Sequence, residues 1–189
     1  MSLLDKIAAA VTPMASDEDR VDARRSAEQS AQNGDWLSQV LDHHRQIEAA
    51  FDRALNATDA QSRRTAASEL GVILMAHSNA EEAVLYPALV EGSSKTHTTM
   101  AYEEQAAAKI NMAILESLDP TSQEWRDKLK HIQGAVAQHV YQEESSWFLD
   151  LVRNVPADKQ TQLTKRYAEE FHRNSGALQS QPSQLAPIA

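Results

Sequence analysis

The sequence predicts an all-α fold, and three observations carry that prediction. Val and Ile are sparse and never alternate over a strand's length, whereas Ala, Gln, Glu, Leu and Arg, which favour helix, are plentiful. Five glycines and six prolines in 189 residues leave long segments without a breaker. Apolar residues recur at three- and four-residue spacing through four long stretches joined by short connections. That pattern implies an antiparallel up-down-up-down four-helix bundle with extra N- and C-terminal helices. With 42% apolar and 24% charged residues, the chain fits one ordinary core plus extensions.

Residues 1–34 form an N-terminal helical arm. It opens with an amphipathic pattern (Leu3, Leu4, Ile7, Ala8, Val11) and continues through a mixed-charge, solvated segment that Ser16 or Asp17 caps. The bundle occupies residues 35–156. Asp35 caps its first helix, Trp36 to Leu55, whose stripe is Leu37, Val40, His44, Ile47, Phe51 and Leu55; His43 points about 100° away. The second helix starts at Ser62 or Thr65 and runs to about Val90, with Pro87 near its end kinking or terminating it. The third spans about His97 to Leu118, with Ala101, Gln105, Ala108, Met112 and Leu115 inward. Ser122 or Thr121 caps the fourth, Gln123 to Arg153, with Trp125, Leu129, Ile132, Val136, His139, Glu143 and Trp147 on one side. A C-terminal helix follows Pro156 over 157–174, with Leu163, Tyr167 and Phe171 as its apolar face, and 175–189 read as a flexible tail. The apolar faces of the terminal helices suit packing on the bundle or on a second copy, which would make a homo-oligomer.

The formal charge of −9 argues against nucleic acid and against an anionic membrane surface. No apolar run approaches the roughly 18 residues of a transmembrane helix. The N-terminus lacks the basic start of a secretory signal, so a cytoplasmic location is expected. Without cysteine there are no disulfides, thiolate metal sites or cysteine catalysis, and any metal is held by nitrogen and oxygen.

His77 and Glu81 lie four residues apart, one helical turn above the other, and apolar neighbours turn both towards the core. An imidazole stacked over a carboxylate is half of a divalent-metal site. His139 and Glu143 repeat the spacing on the fourth helix, and His44 lies at the same level of the first. Three histidines and two carboxylates in an apolar core are costly unless paired. Binding cations resolves the cost; a water-filled polar network is the alternative. The donor set suits iron or manganese, with zinc compatible.

Three segments carry a resemblance. HHRQIEAAF, HSNAEEAVLYPAL and QHVYQEESSWF occur in order between about Trp36 and Val155. They resemble the first-, second- and fourth-helix motifs of the hemerythrin-like HHE cation-binding family. The resemblance implies His44, His77, Glu81, His139 and Glu143 as metal ligands, with Glu144 as the alternative to Glu143. In the third helix the family places a histidine in a motif like EHxxxK, where YEEQAAAK has Gln105. A glutamine carbonyl is a weaker ligand for iron than imidazole. Tyr102, one turn from Gln105, and His131, about two turns from His139, are further candidates.

The resemblance implies a non-haem centre of two iron ions that binds or reacts with O2, NO or peroxide, or that handles iron. A centre short of one histidine has more open positions, which suits redox chemistry or iron exchange better than reversible oxygen carriage. A metal- or gas-responsive interaction module and a mononuclear or structural metal site are the alternatives. The chain has no GxGxxG or P-loop motif.

Overall fold

The computed structural model describes residues 14–92 and 95–179, and all regular structure among them is helical. The helices are α1 (Asp17–Ser30), α2 (Trp36–Asn56), α3 (Ala60–Ala80), α4 (Tyr86–Gly92), α5 (Lys95–Ser117), α6 (Gln123–Gln142), α7 (Phe148–Asn154) and α8 (Ala157–Gln179). α3 and α4 are two halves of one rod, joined by a π-helical turn at Glu81–Leu85. A second π turn at Glu143–Trp147 joins α6 to α7 in the same way. Around the bundle, α2 neighbours α3, α3 neighbours α5, α5 neighbours α6, and α6 closes the ring on α2.

Side chains at the helix starts set the boundaries. Ser16 caps α1 in a reciprocal capping box with Asp19, and Asp35 caps α2 by accepting from the Ser38 backbone. Gly34, at φ 82°, supplies the left-handed residue that turns the chain into Asp35. The second rod begins earlier than expected, at Ala60 rather than at Ser62 or Thr65. Asp59 accepts from the Ser62 backbone while Ser62 Oγ answers the Asp59 backbone, which makes Ser62 the third helical residue. Pro87 does not end that rod, which continues to Gly92. The π turn precedes Pro87, and Tyr86 N–H bonds five residues back to Glu81 O. α8 likewise runs past Ser175 and Gly176 to Gln179, so the first five residues of the expected tail are helical. The expected amphipathic pattern at Leu3–Val11 lies outside the described residues.

The apolar core is divided. At one end Trp36, Leu37, Leu41, Leu85, Leu89, Phe148 and Leu151 pack together. At the other Ile47, Phe51, Leu70, Leu74, Met112, Leu115, Trp125, Leu129 and Ile132 do. Each fully buried Leu or Phe in these layers contributes about 1.5–3 kcal/mol. Between Leu41 and Ile47 comes His44; between Leu74 and Leu85 come His77 and Glu81. The chain therefore sandwiches a polar layer between two apolar ones.

Both terminal helices pack on the bundle. α8 lies along α3 and touches α2, with Leu163 and Tyr167 buried. Its start is tied to α2: Trp36 donates its backbone N–H to Thr164 Oγ1 at 3.1 Å and its indole N–H to Gln160. α1 lies against α7 and the second π turn, and its buried Ala23 and Ala27 permit close approach. No described helix is long and apolar enough to cross a membrane.

Candidate metal centre

Four of the buried polar side chains converge on one point. Ligand atoms of His44, His77, Glu81 and Glu143 all lie within 4.8 Å of one another, and each residue is at most 3% exposed. The helices explain the convergence. His77 and Glu81 share a face across the end of α3, with Nε2 to Oε2 at 3.2 Å. His44 faces them from α2, and Glu143, at the end of α6, lies 3.3 Å from His44 Nε2. An ion about 2.0–2.2 Å from each donor needs donors no more than about 4.4 Å apart, so the cluster is within a few tenths of an ångström of closing.

His139 lies beside this quartet. Its Nε2 is 3.3 Å from Glu143 Oε1, which places Glu143 between His44 and His139. The Tyr86 hydroxyl fills the space between them. It donates to Glu143 Oε1 at 3.0 Å, lies 3.1 Å from His139 Nε2 and 3.4 Å from Glu81 Oε2, and accepts from Gln105 Nε2 at 2.5 Å. Gln105 also donates to Glu81 Oε2 at 2.7 Å. The two π turns begin at the two carboxylates, Glu81 and Glu143. The second turn also directs the adjacent Glu144 towards α2, where it accepts from His44 Nδ1 at 2.7 Å.

Charge in this layer is shared unevenly. Burial opposes protonation of His44, but the close contacts and charge of Glu143 and Glu144 outweigh it and raise its pKa to about 9. Burial likewise opposes the His139 charge, and Glu143 and Glu104 overcome it, so that His139 also titrates well above the ordinary range. Burial and the Glu143 charge push Glu81 up, towards its protonated form. Glu143 is buried too, yet the His139 and His44 contacts hold it ionised well below the usual carboxylate range. Burial and the nearby His44 charge depress His77 and keep it neutral. Without a cation, these surroundings favour protons on His44, His139 and Glu81.

The residues fit a cation. His44 Nε2, Glu81 Oε1, Gln105 Oε1 and Glu143 Oε2 are buried with no hydrogen-bond partner. His44 Nε2 and Glu143 Oε2 are close but misaligned for a hydrogen bond. Leaving such atoms unsatisfied costs about 1–3 kcal/mol each. Once His44 gives up its proton, two imidazoles and two carboxylates form a set that divalent first-row metals accept.

A family model described as the hemerythrin HHE cation binding domain matches residues 37–150, more than half of the chain. The chain belongs to the hemerythrin HHE cation-binding family. A solved structure, that of an HHE domain-containing protein from Mycobacterium kansasii described as an Rv2633c homolog, shares the fold with a TM-score of 0.67. It is 17% identical and covers 76% of this chain and 88% of its own. A Nostoc sp. protein described as a DNA nickase is 26% identical over 136 residues. The match spans 72% of this chain but only 38% of that relative's length.

Within the HHE domain, His44, His77, Glu81 and Glu143 form the quartet, with His139 and Gln105 at its edge. Three other candidates fall elsewhere. Glu144 lies on the Nδ1 side of His44 and accepts from Arg24 Nε and Nη2. Tyr102 is 38% exposed and donates to the Glu82 carbonyl at 2.9 Å, because its place on α5 lies outside the inward stripe. His131, on the outer face of α6, is exposed. Four residues with no expected role reach the polar layer: Tyr86, Arg24, Glu104 and Tyr167. Glu104, 35% exposed, accepts from His139 Nδ1 at 2.7 Å. Its position directly before Gln105 was the available signal. His43, one residue off the inward stripe, is buried beneath α8, where it stacks on Phe171 and contacts Tyr167.

Proposed function

We propose that this HHE domain holds iron at the His44–His77–Glu81–Glu143 quartet and extends to a second, weaker position at His139. At that centre it binds or reacts with a small oxidant or gas, O2, NO or peroxide. The observation that carries the reading is the convergence of four buried donors whose carboxylate oxygens and imidazole nitrogen lack other partners. Glu143, within 3.3 Å of both His44 and His139, is the carboxylate placed to serve two positions. The second position has one imidazole, with Gln105 and Tyr86 where stronger donors would raise its affinity.

Iron held there would supply a cation that, in its ferrous form, gives electrons to an oxidant, with coordination positions left for a small ligand. The chain's own residues define that ligand's surroundings. The two apolar layers keep bulk water and large substrates out, which favours small neutral molecules. Gln105 and Tyr86 hold hydrogen-bond donors beside the carboxylates. Glu104, partly exposed and bonded to His139 Nδ1, holds a proton-accepting oxygen between the layer and solvent. The formal charge of −9 argues against a nucleic-acid partner of the kind the Nostoc relative's description suggests.

The test is rapid mixing of anaerobic, ferrous-loaded protein with O2, NO or hydrogen peroxide, following ligand consumption and the optical spectrum. Consumption or binding that scales with iron content and disappears in His77→Ala supports the reading. Iron-loaded protein inert to all three ligands refutes the oxidant reading and leaves iron handling or a structural cation.

A further inference from the structure

We infer that the two terminal helices form a clasp on one cation position: Arg24 of α1, acting through Glu144, and Tyr167 of α8 position His44 and His77, so that cation binding and helix docking stabilise each other. This rests on the cation reading above.

The contacts reach the outer nitrogens of that pair of imidazoles. His44 Nδ1 is 2.7 Å from Glu144 Oε1. Arg24 grips the same carboxylate from Nε and Nη2, at 2.8–3.1 Å, while its Nη1 and Nη2 hold Glu48 on α2 at 2.7 and 2.8 Å. On the other side, the Tyr167 hydroxyl is 3.1 Å from His77 Nδ1 and 2.8 Å from His43 Nδ1. Tyr167 is fully buried, and the next turn of α8 stacks Phe171 on the His43 ring with centroids 3.6 Å apart. His139 differs: its Nδ1 partner is Glu104 of α5, a bundle helix.

Hydrogen-bond polarity links these contacts to occupancy. A cation on Nε2 of each ring leaves the proton on Nδ1. Glu144 can only accept such a proton, and the Tyr167 oxygen can accept one while its own hydroxyl donates to His43 Nδ1. Loading therefore sets one direction along His77, Tyr167 and His43, and another along His44, Glu144 and Arg24. At neutral His77 a cation would make Nδ1–H a stronger donor to Tyr167. At His44, already cationic, it would replace the Nε2 proton and fix the ring in the orientation that meets Glu144, so that the loaded state holds both helices. By thermodynamic reciprocity, docked helices raise cation affinity by the same factor.

The experiment uses the full chain, with Zn2+ and anaerobic Fe2+ as probes in competition with a chromophoric chelator. It compares wild type, Tyr167→Phe, Arg24→Gln and, as a control, Lys165→Ala, whose side chain is 79% exposed. Amide hydrogen exchange of α1 and α8 is followed with and without metal, and the stability of the metal-free forms is measured in parallel. Tyr167→Phe and Arg24→Gln should each weaken the first ion by about 10–100-fold, the usual range for groups behind a ligand. Lys165→Ala should not. Metal should slow exchange in both terminal helices of wild type, and less so in each variant. Tyr167→Phe keeps the buried ring, so a merely structural role would lower metal-free stability and leave affinity intact. Wild-type affinity in both variants, or exchange in α1 and α8 indifferent to metal, overturns the clasp while the cation site stands. A wild type that binds neither probe overturns both.

Discussion

Lowering the pH from 9 to 7 should weaken cation binding by about 50-fold, because the ion must displace protons that the layer holds. His44 titrates at about 9 in the cation-free chain, two units above neutrality. Its Nε2 must be bare to bind, so at pH 7 only about one molecule in a hundred has that ligand ready, a cost of about 3 kcal/mol. Glu81, also pushed up by burial and by Glu143, adds to the effect in the same direction. The assay is calorimetric titration with Zn2+ at pH 7 in buffers of different ionisation enthalpy, repeated at pH 8 and 9. At least one proton should be released for each first ion bound at pH 7. The affinity should rise by about tenfold from pH 7 to 8 and by about fivefold from pH 8 to 9. Enthalpies independent of the buffer, with an affinity flat between pH 7 and 9, would refute the reasoning that buried protons stand in for the cation.

The metal-free chain should be most stable near pH 6.5, as thermal midpoints in chelator at different pH would show. The raised His44 contributes stability that is full below its unfolded value and is lost as pH rises through about 9. His43, depressed to about 4 by burial and by the His44 charge, contributes stability present above its unfolded value and lost as pH falls through about 4. Gln105→His should strengthen the second ion more than the first, since it adds an imidazole where the carboxamide now stands; sequential binding isotherms measure this. Phe51→Ala, in the apolar layer away from the ligands, should cost about 3–5 kcal/mol in urea unfolding yet leave the metal content of the folded protein unchanged.

The bundle was legible because helical periodicity survives in single sequences. Leu37, Val40, His44, Ile47 and Phe51 trace a stripe whose burial follows from spacing alone. The repeated four-residue spacing of His77–Glu81 and His139–Glu143 marked the polar layer for the same reason. What escaped detection depends on distance in space or on backbone irregularity. Arg24 and Glu144 are 120 residues apart, and His77 and Tyr167 are 90 apart. No local pattern joins such pairs, and the mixed charges of α1 read equally well as a solvated face. The π turns at Glu81 and Glu143 insert an extra residue into a turn without a Gly or Pro within it to announce them. They bring Tyr86 and Glu144 to faces that an ideal helix from the preceding stretch does not assign. The segment NATDAQ marks a break but carries no local signal that Asp59, rather than Ser62 or Thr65, caps the helix that follows.

The central claim is that buried histidines and carboxylates hold a cation, and metal content tests it most directly. Protein purified under iron-replete, anaerobic conditions should carry at least one iron per chain, approaching two at saturation. His77→Ala, folded to the same helix content, should lose the tightly held ion. Wild-type protein with no metal above background, and none acquired on titration with Fe2+, would contradict the account and leave the polar layer as a protonated network.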